Sequence, residues 1–145
     1  MKSDPKISSV KFVKESIALL PTDSYEVKNV ISNIKSSSSC GPDQVPITII
    51  KSVADTLSPI LSNLINHSLS AGIFPDALKS AKITPIFKAG GKTLISNYRP
   101  ISLLNSFSKI YEKIFLLKLN SFLTKHSIIY DGQYGFQKIS PLSML

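Results

Sequence analysis

The stretch Ile83-Thr84-Pro85-Ile86-Phe87-Lys88-Ala89-Gly90-Gly91-Lys92, answered by Asn97-Tyr98-Arg99-Pro100-Ile101-Ser102, decides the fold. Ile83 and Ile86-Phe87 flank Pro85, and a proline in an apolar run suits a strand at a sheet edge. Ala81 to Phe87 therefore reads as one extended segment and Tyr98 to Leu104 as a second. Lys88-Ala89-Gly90-Gly91-Lys92 forms a basic loop between them, and the two segments make a hairpin. Lysines stand at the end of the first strand and in the loop, and the chain's only arginine stands on the return. Arginine offers a planar fork of donors matched to phosphate oxygens, while lysine acts as a mobile point charge. Such a hairpin can clamp a triphosphate. Equally, Arg99 can pair with an acidic neighbour while the lysines are solvated, and Gly90-Gly91 is no phosphate-loop signature. Spacing leaves both open.

Upstream of the hairpin the pattern is helical. Asp23 can cap free amides and Glu26 stands three residues later, as in a capping box. Val27, Val30, Ile31 and Ile34 follow at the spacing of one buried helix face. Ser36 to Ser39 and then Cys40-Gly41-Pro42-Asp43 end that helix with turn chemistry. Pro46 suits the first turn of a second helix with Ile47, Ile50 and Ala54 on one side. Ser58-Pro59 reads as a cap and first-turn proline, opening a stripe of Ile60, Leu61, Leu64, Ile65 and Leu69 that Gly72 stops. Downstream, the longest helix is expected from about Ser106 to Leu123. Phe107, Ile110, Tyr111, Ile114 and Leu117 set its rhythm, and Phe115, Leu119, Phe122, Leu116 and Leu123 widen it until it is apolar on more than one side. Residues 1 to 20 hold apolar side chains without a clean period and read as a lead-in. Asp131-Gly132-Gln133-Tyr134-Gly135-Phe136 is a turn into an aromatic segment.

The chain of 145 residues is the size of one domain, and such a chain buries roughly 70% of its unfolded surface. No run approaches the roughly 18 uncharged apolar residues of a membrane span, and no signal peptide is evident. The single cysteine, Cys40, excludes an internal disulfide framework and suits a reducing compartment, cytoplasmic or nuclear. Seventeen basic residues against nine acidic ones give a net charge of +8. A surface of that sign attracts polyanions, because neutralising phosphates releases counterions; it also serves as a plain solubilising coat. His67 and His126 have no cysteine or carboxylate at ligand spacing, so a metal site is not expected there.

The order of the segments resembles the start of the reverse transcriptase of non-LTR (LINE-type) retrotransposons, in particular the jockey-like branch. Cys40-Gly41-Pro42-Asp43-Gln44-Val45-Pro46, Gly72-Ile73-Phe74-Pro75-Asp76 and Ile83-Thr84-Pro85-Ile86-Phe87-Lys88 carry the resemblance. So do Asn97-Tyr98-Arg99-Pro100-Ile101-Ser102-Leu103-Leu104, Ser108-Lys109-Ile110-Tyr111-Glu112-Lys113 and Gln133-Tyr134-Gly135-Phe136. Each alone is weak; in this order, from Ser24 to Phe136, they are specific. The resemblance implies an α+β, mostly helical fingers subdomain of a right-hand polymerase with one small antiparallel hairpin. Residues 1–23 would be a lead-in and 24–145 a partial reverse transcriptase domain, cut before the palm and without a thumb. It also implies that Lys88 and Arg99 grip the phosphates of an incoming deoxynucleotide. Gly41, Pro42 and Asp43 would lie along the template RNA, and Gly135 and Phe136 beneath the templating base. Gln137 stands where the family has arginine, and Pro141-Leu142 where it has a Ser-Thr pair, as in a decayed copy or a wrongly joined coding segment.

Nucleotide addition needs two divalent metals about 4 Å apart held by carboxylates. The family takes them from the palm, one strand aspartate and an Asp-Asp pair. This chain has no Asp-Asp pair, and after Asp76 its only acids are Glu112 and Asp131. Mg²⁺ is therefore expected for the full-length enzyme and no cofactor or catalytic residue in this chain, whose partners would be template RNA, primer DNA, dNTP and the missing palm. The alternatives are a non-enzymatic basic RNA-binding module and a genomic relic without function.

Overall fold

The computed structural model describes residues 20–128, apart from Ser38. Four α-helices and one two-stranded antiparallel sheet make it an α+β fold. The order is α1 (Ser24–Asn33), α2 (Ile47–Ser52), α3 (Ala54–Ala71), β1 (Ala81–Phe87), β2 (Tyr98–Leu104) and α4 (Ser106–Lys125). Short 3₁₀ turns at Asp76–Leu78 and Ile95–Asn97 precede the two strands.

Helix α1 starts where its cap chemistry predicts. The Asp23 carboxylate accepts from the Glu26 amide at 2.7 Å, a bond whose loss typically costs ~1 kcal/mol. The reciprocal half of the capping box is not made. Glu26 instead accepts from the Thr22 hydroxyl at 2.5 Å and from Lys118 on α4 at 2.8 Å. Thr22 exchanges two backbone hydrogen bonds with the Asn66 side chain of α3, at 2.7 and 2.8 Å. The start of α1 is thus stitched to both long helices.

Ile47, Ile50 and Ala54 are buried on one side as expected, but the backbone breaks between them at Val53. Helix α3 then begins one turn before Ser58-Pro59, which correct the expected cap. Pro59 lies inside the helix, where its missing N–H leaves the Asp55 carbonyl without its usual intrahelical donor. Ser58 is buried and turns its hydroxyl onto the Ala54 carbonyl at 2.5 Å rather than capping anything. The other end is as predicted. Gly72 takes the left-handed conformation at φ 66°, while Gly72 N–H reaches the Leu69 carbonyl and Ile73 N–H the Ser68 carbonyl.

The core is a layer of aliphatic side chains shared by the helices. Val27, Val30 and Ile31 of α1 meet Leu61 and Ile65 of α3, with Ile47 and Ile50 of α2 and Ile110, Tyr111 and Ile114 of α4. Burying each large aliphatic contributes roughly 1.5–3 kcal/mol. One expectation changes here. Ile60 and Leu64, placed in the α3 stripe, are 55% and 53% exposed, because α1 covers only the Leu61–Ile65 side. On α4 the Ile110–Ile114 edge is buried, and Phe115, Leu116 and Leu117 of its wider apolar surface stand nearly half exposed.

The hairpin stands away from this core, and neither strand contains a buried residue. Its register pairs Ala81 with Leu104, Pro85 with Pro100 and Phe87 with Tyr98. Lys88 N–H donates to the Asn97 carbonyl at 2.8 Å, which fixes the parity of the ladder. Ile86 and Arg99 form a hydrogen-bonded pair. Phe87–Tyr98 and Pro85–Pro100 are non-hydrogen-bonded pairs, with N–H positions that face outward. Both prolines therefore cost the ladder no bond. The closer side-chain approach at such pairs brings the Phe87 and Tyr98 rings edge to face, 5.5 Å apart.

Candidate nucleic-acid interface

Strand alternation sorts the hairpin into two faces. Lys82, Thr84 and Ile86 share one face with Arg99, Ile101 and Leu103. Lys88, bonded opposite Asn97, continues that face one residue past the strand. Lys88 and Arg99 are then diagonal neighbours, about 7 Å apart at the backbone. Sequence reasoning paired them through resemblance, and the register puts them on one face.

Among the described residues their charges are not spent on acids. Among the described residues, ion pairs join Lys28 to Asp55, Lys79 to Asp76 and Lys118 to Glu26, and neither Lys88 nor Arg99 takes part in one. Lys79 holds the Asp76 carboxyl below its ordinary value through a hydrogen bond and its charge. Beyond that pair, Ser80 to Tyr111 contains five basic residues and no acid. The alternative in which Arg99 pairs with a carboxylate is not what the described fold holds. Lys92 lies 5.9 Å from the centre of the Phe87 ring, at the outer reach of a cation–π contact.

The loop joining the strands is well tied. Gly90 sits at φ 93°, and a Cβ there would come within 2.7 Å of the Asn97 amide nitrogen. That amide donates to the Gly91 carbonyl at 2.8 Å, and the Tyr98 hydroxyl donates to the Lys92 carbonyl at 2.9 Å. Leu94 N–H reaches the Gly91 carbonyl, and Asn97 N–H reaches the Leu94 carbonyl. Asn97 was legible only as part of a motif; its work is to close this loop.

Gly41, Pro42 and Asp43 lie at the base of the ribbon. Gly41 packs on the β2–α4 junction so closely that a Cβ would fall 2.5 Å from the Asn105 backbone nitrogen. That contact accounts for glycine at 41 without any ligand. Asp43 N–H donates to the Asn105 side-chain oxygen at 3.3 Å, and its own carboxylate accepts from Val45 N–H at 3.3 Å. The second carboxylate oxygen, Oδ2, is buried and unpartnered, while Pro42 faces outward. Arg99 and Leu104 are five residues apart along β2, about 17 Å. The fold therefore does not bring the Gly41–Asp43 turn to Lys88 and Arg99. Gly135 and Phe136 lie outside the described residues.

Three buried polar residues that sequence reading passed over hold this base together. Asn105 donates to the Ala77 carbonyl at 3.3 Å, Ser106 to the Val45 carbonyl and Ser108 to the Leu78 carbonyl, both at 2.7 Å. The available signal was Asn-Ser-Phe-Ser at a helix start, polar side chains among apolar ones. Beside them a groove of about 570 Å³ is walled by Ile65, Leu69, Phe74, Leu78 and Phe115. Tyr111 lines it too, edge to face with Phe74 at 5.9 Å, and burial pushes its hydroxyl pKa up against a hydrogen bond with Ser68. Among the described residues no three of His, Cys, Asp and Glu are grouped to hold a metal, and no helix is long and apolar enough to cross a membrane.

The hairpin is basic and free of acids, and it is carried on a small helical body; comparison with known proteins says which kind of chain carries it. No family model matches. The chain is 33% identical over 123 residues to the probable RNA-directed DNA polymerase from transposon BS of Drosophila melanogaster, covering 82% of this chain. It is 34% identical over 123 residues to the RNA-directed DNA polymerase from mobile element jockey of the same species, covering 84% of this chain. The jockey polymerase of Drosophila funebris is 33% identical over 121 residues. The chain belongs to the jockey-like non-LTR retrotransposon RNA-directed DNA polymerases, and it spans 14% of the length of the first of these relatives and 13% of the other two.

Proposed function

We propose that this chain is the fingers part of a retrotransposon reverse transcriptase, the part that contacts template RNA and the phosphates of the incoming dNTP. The observation that carries the reading is the pair of cations Lys88 and Arg99, on one face of a hairpin free of acids and free of ion pairs among the described residues. Lysine supplies a mobile charge and arginine a fixed fork, and together they neutralise a phosphate chain laid across the ribbon. The turn at Gly41, Pro42 and Asp43 belongs to the template path. Its outward side is Pro42 and backbone, with one Asp43 oxygen buried away from the phosphates.

The chain by itself positions nucleotides and does not join them. Its sequence has no Asp-Asp pair, and its described acids are not grouped for two metals, so the residues present do not fit the Mg²⁺ that the full-length enzyme needs. A second reading, a non-enzymatic basic RNA-binding module, rests on the same two cations.

Titration of the pure chain with a dNTP, and separately with a single-stranded RNA, over a range of salt tests the first claim. Lys88→Ala and Arg99→Ala should each weaken dNTP binding, and each should flatten the salt slope of RNA binding by about 0.7 where the strand's phosphates lie on the same face. Variants that bind as the parent does refute the role of these residues. Primer extension with Mg²⁺ should yield no product, and templated extension by the pure chain refutes the claim of inactivity. Submicromolar RNA binding at physiological salt favours the second reading.

A further inference from the structure

The tip of the hairpin carries two aliphatic side chains where solvent would favour polar ones. Ile95 is 90% exposed and Leu94 58%, side by side at the turn before β2. They are not on a slack loop. The Asn97 amide, the Tyr98 hydroxyl and three backbone hydrogen bonds, from Lys88, Leu94 and Asn97 N–H, tie the loop across its width. Lys88 and Lys92 precede the pair in sequence, and Arg99 follows it. The result is a stiff arm ending in apolar groups, surrounded by positive charge, with no acid between Ala77 and Tyr111.

A partner that suits both properties must be a polyanion with flat apolar faces within a side chain's length of its charges. Nucleic-acid bases meet that description: aliphatic wedges set between or against bases are a recurrent device, with cations holding the flanking phosphates. An anionic lipid surface shares the charge, but amphipathic membrane binding relies on a long apolar face, not two residues at a turn.

We propose that Leu94 and Ile95 form an apolar wedge that packs against an unstacked base of a single-stranded nucleic acid held by the hairpin cations. The proposal rests on reading the hairpin as a nucleic-acid arm, and it assigns the bases, not the phosphates, to these two residues.

The test compares the full chain with its Leu94→Ser/Ile95→Ser and Lys88→Ala/Arg99→Ala variants. Binding is measured to a 12-nucleotide single strand, to an abasic phosphodiester strand of equal length, and to phosphatidylserine vesicles. Both wedge positions are exposed, so the substitutions leave the core intact. The wedge variant should lose about tenfold in affinity for the base-bearing strand, the size expected when two aliphatic side chains lose part of their burial. It should keep its affinity for the abasic strand and its salt slope. The cation variant should weaken on both strands. If the wedge variant matches the parent on the base-bearing strand while the cation variant weakens, the wedge is overturned and the cation reading stands. If neither variant weakens, or the parent binds no strand, both are overturned. If the wedge variant loses only vesicle binding, the tip is a lipid contact and the proposal is overturned.

Discussion

Replacing Gly41 by alanine tests whether the base of the hairpin is held by close backbone packing. The added carbon would lie 2.5 Å from the Asn105 backbone nitrogen, 2.6 Å from the Leu104 carbonyl carbon and 2.7 Å from the Asn105 side-chain oxygen. The first two atoms are main chain at the β2–α4 junction and cannot swing aside. Crowding of this kind costs about 1–3 kcal/mol. The forced shift also stretches Asp43 N–H to Asn105, already at 3.3 Å, and Ser106 to the Val45 carbonyl at 2.7 Å. Each neutral hydrogen bond contributes about 1 kcal/mol, so the expected loss is about 3 kcal/mol, partly offset by the stiffer unfolded chain. That is a large share of the roughly 5–15 kcal/mol that holds a domain together. Urea unfolding followed by circular dichroism reads it as a fall in midpoint of about 1–3 M. Gly91→Ala is the control, since its Cβ would meet nothing nearer than Thr93 at 3.9 Å; it should stay within about 0.5 kcal/mol of the parent. A loss below about 1 kcal/mol at Gly41, or an equal loss at Gly91, would refute the packing argument.

Two further outcomes follow from the charged and titrating groups. Lys118→Ala should cost about 1–2 kcal/mol and Lys28→Ala less than about 0.5. The Lys118–Glu26 side chains are 12% and 34% exposed, against 48% and 82% for Lys28–Asp55. Equal urea midpoints for the two variants would contradict this. Burial raises the Tyr111 pKa above its ordinary 10.0, so above that pH the unfolded chain sheds a proton that the folded one keeps. Its contribution is complete below about pH 10 and is lost as pH rises further. Tyr111→Phe should therefore show a flatter fall in stability between about pH 9 and pH 11, and parallel profiles would rule the effect out.

The parts legible in the sequence were those governed by local rules. Asp23 announced α1, Gly72 ended α3, and the apolar runs around Pro85 and Pro100 gave both strands with their bounds, because caps, left-handed turns and edge prolines depend on a few adjacent residues. Ser58-Pro59 misled for the opposite reason. A serine before proline reads as a start anywhere in a chain, and only packing of the preceding turn through Ala54 carries the helix past it. Ile60 and Leu64 show the limit of periodicity, which gives a stripe its spacing but not the width of the neighbour that covers it. At the candidate site, Lys88 and Arg99 could be named from sequence, while their common face needed the register. Asn105, Ser106 and Ser108 were invisible in their roles, since their partners lie about 30 to 60 residues away in the chain.

The paired prolines of the ribbon have a consequence for how this chain behaves in a crowd. A two-stranded sheet leaves both its rims open, and this one also presents Ile83, Ile86 and Ile101 to solvent. Pro85 and Pro100 stand at the same level on opposite rims, each taking away an outward donor. A strand arriving from another molecule finds a gap and a ring midway along either side, so stacking by strand addition stalls after a few residues. The ribbon is self-limiting on both flanks, and a segment that otherwise has the makings of a fibril seed is kept as a solitary arm.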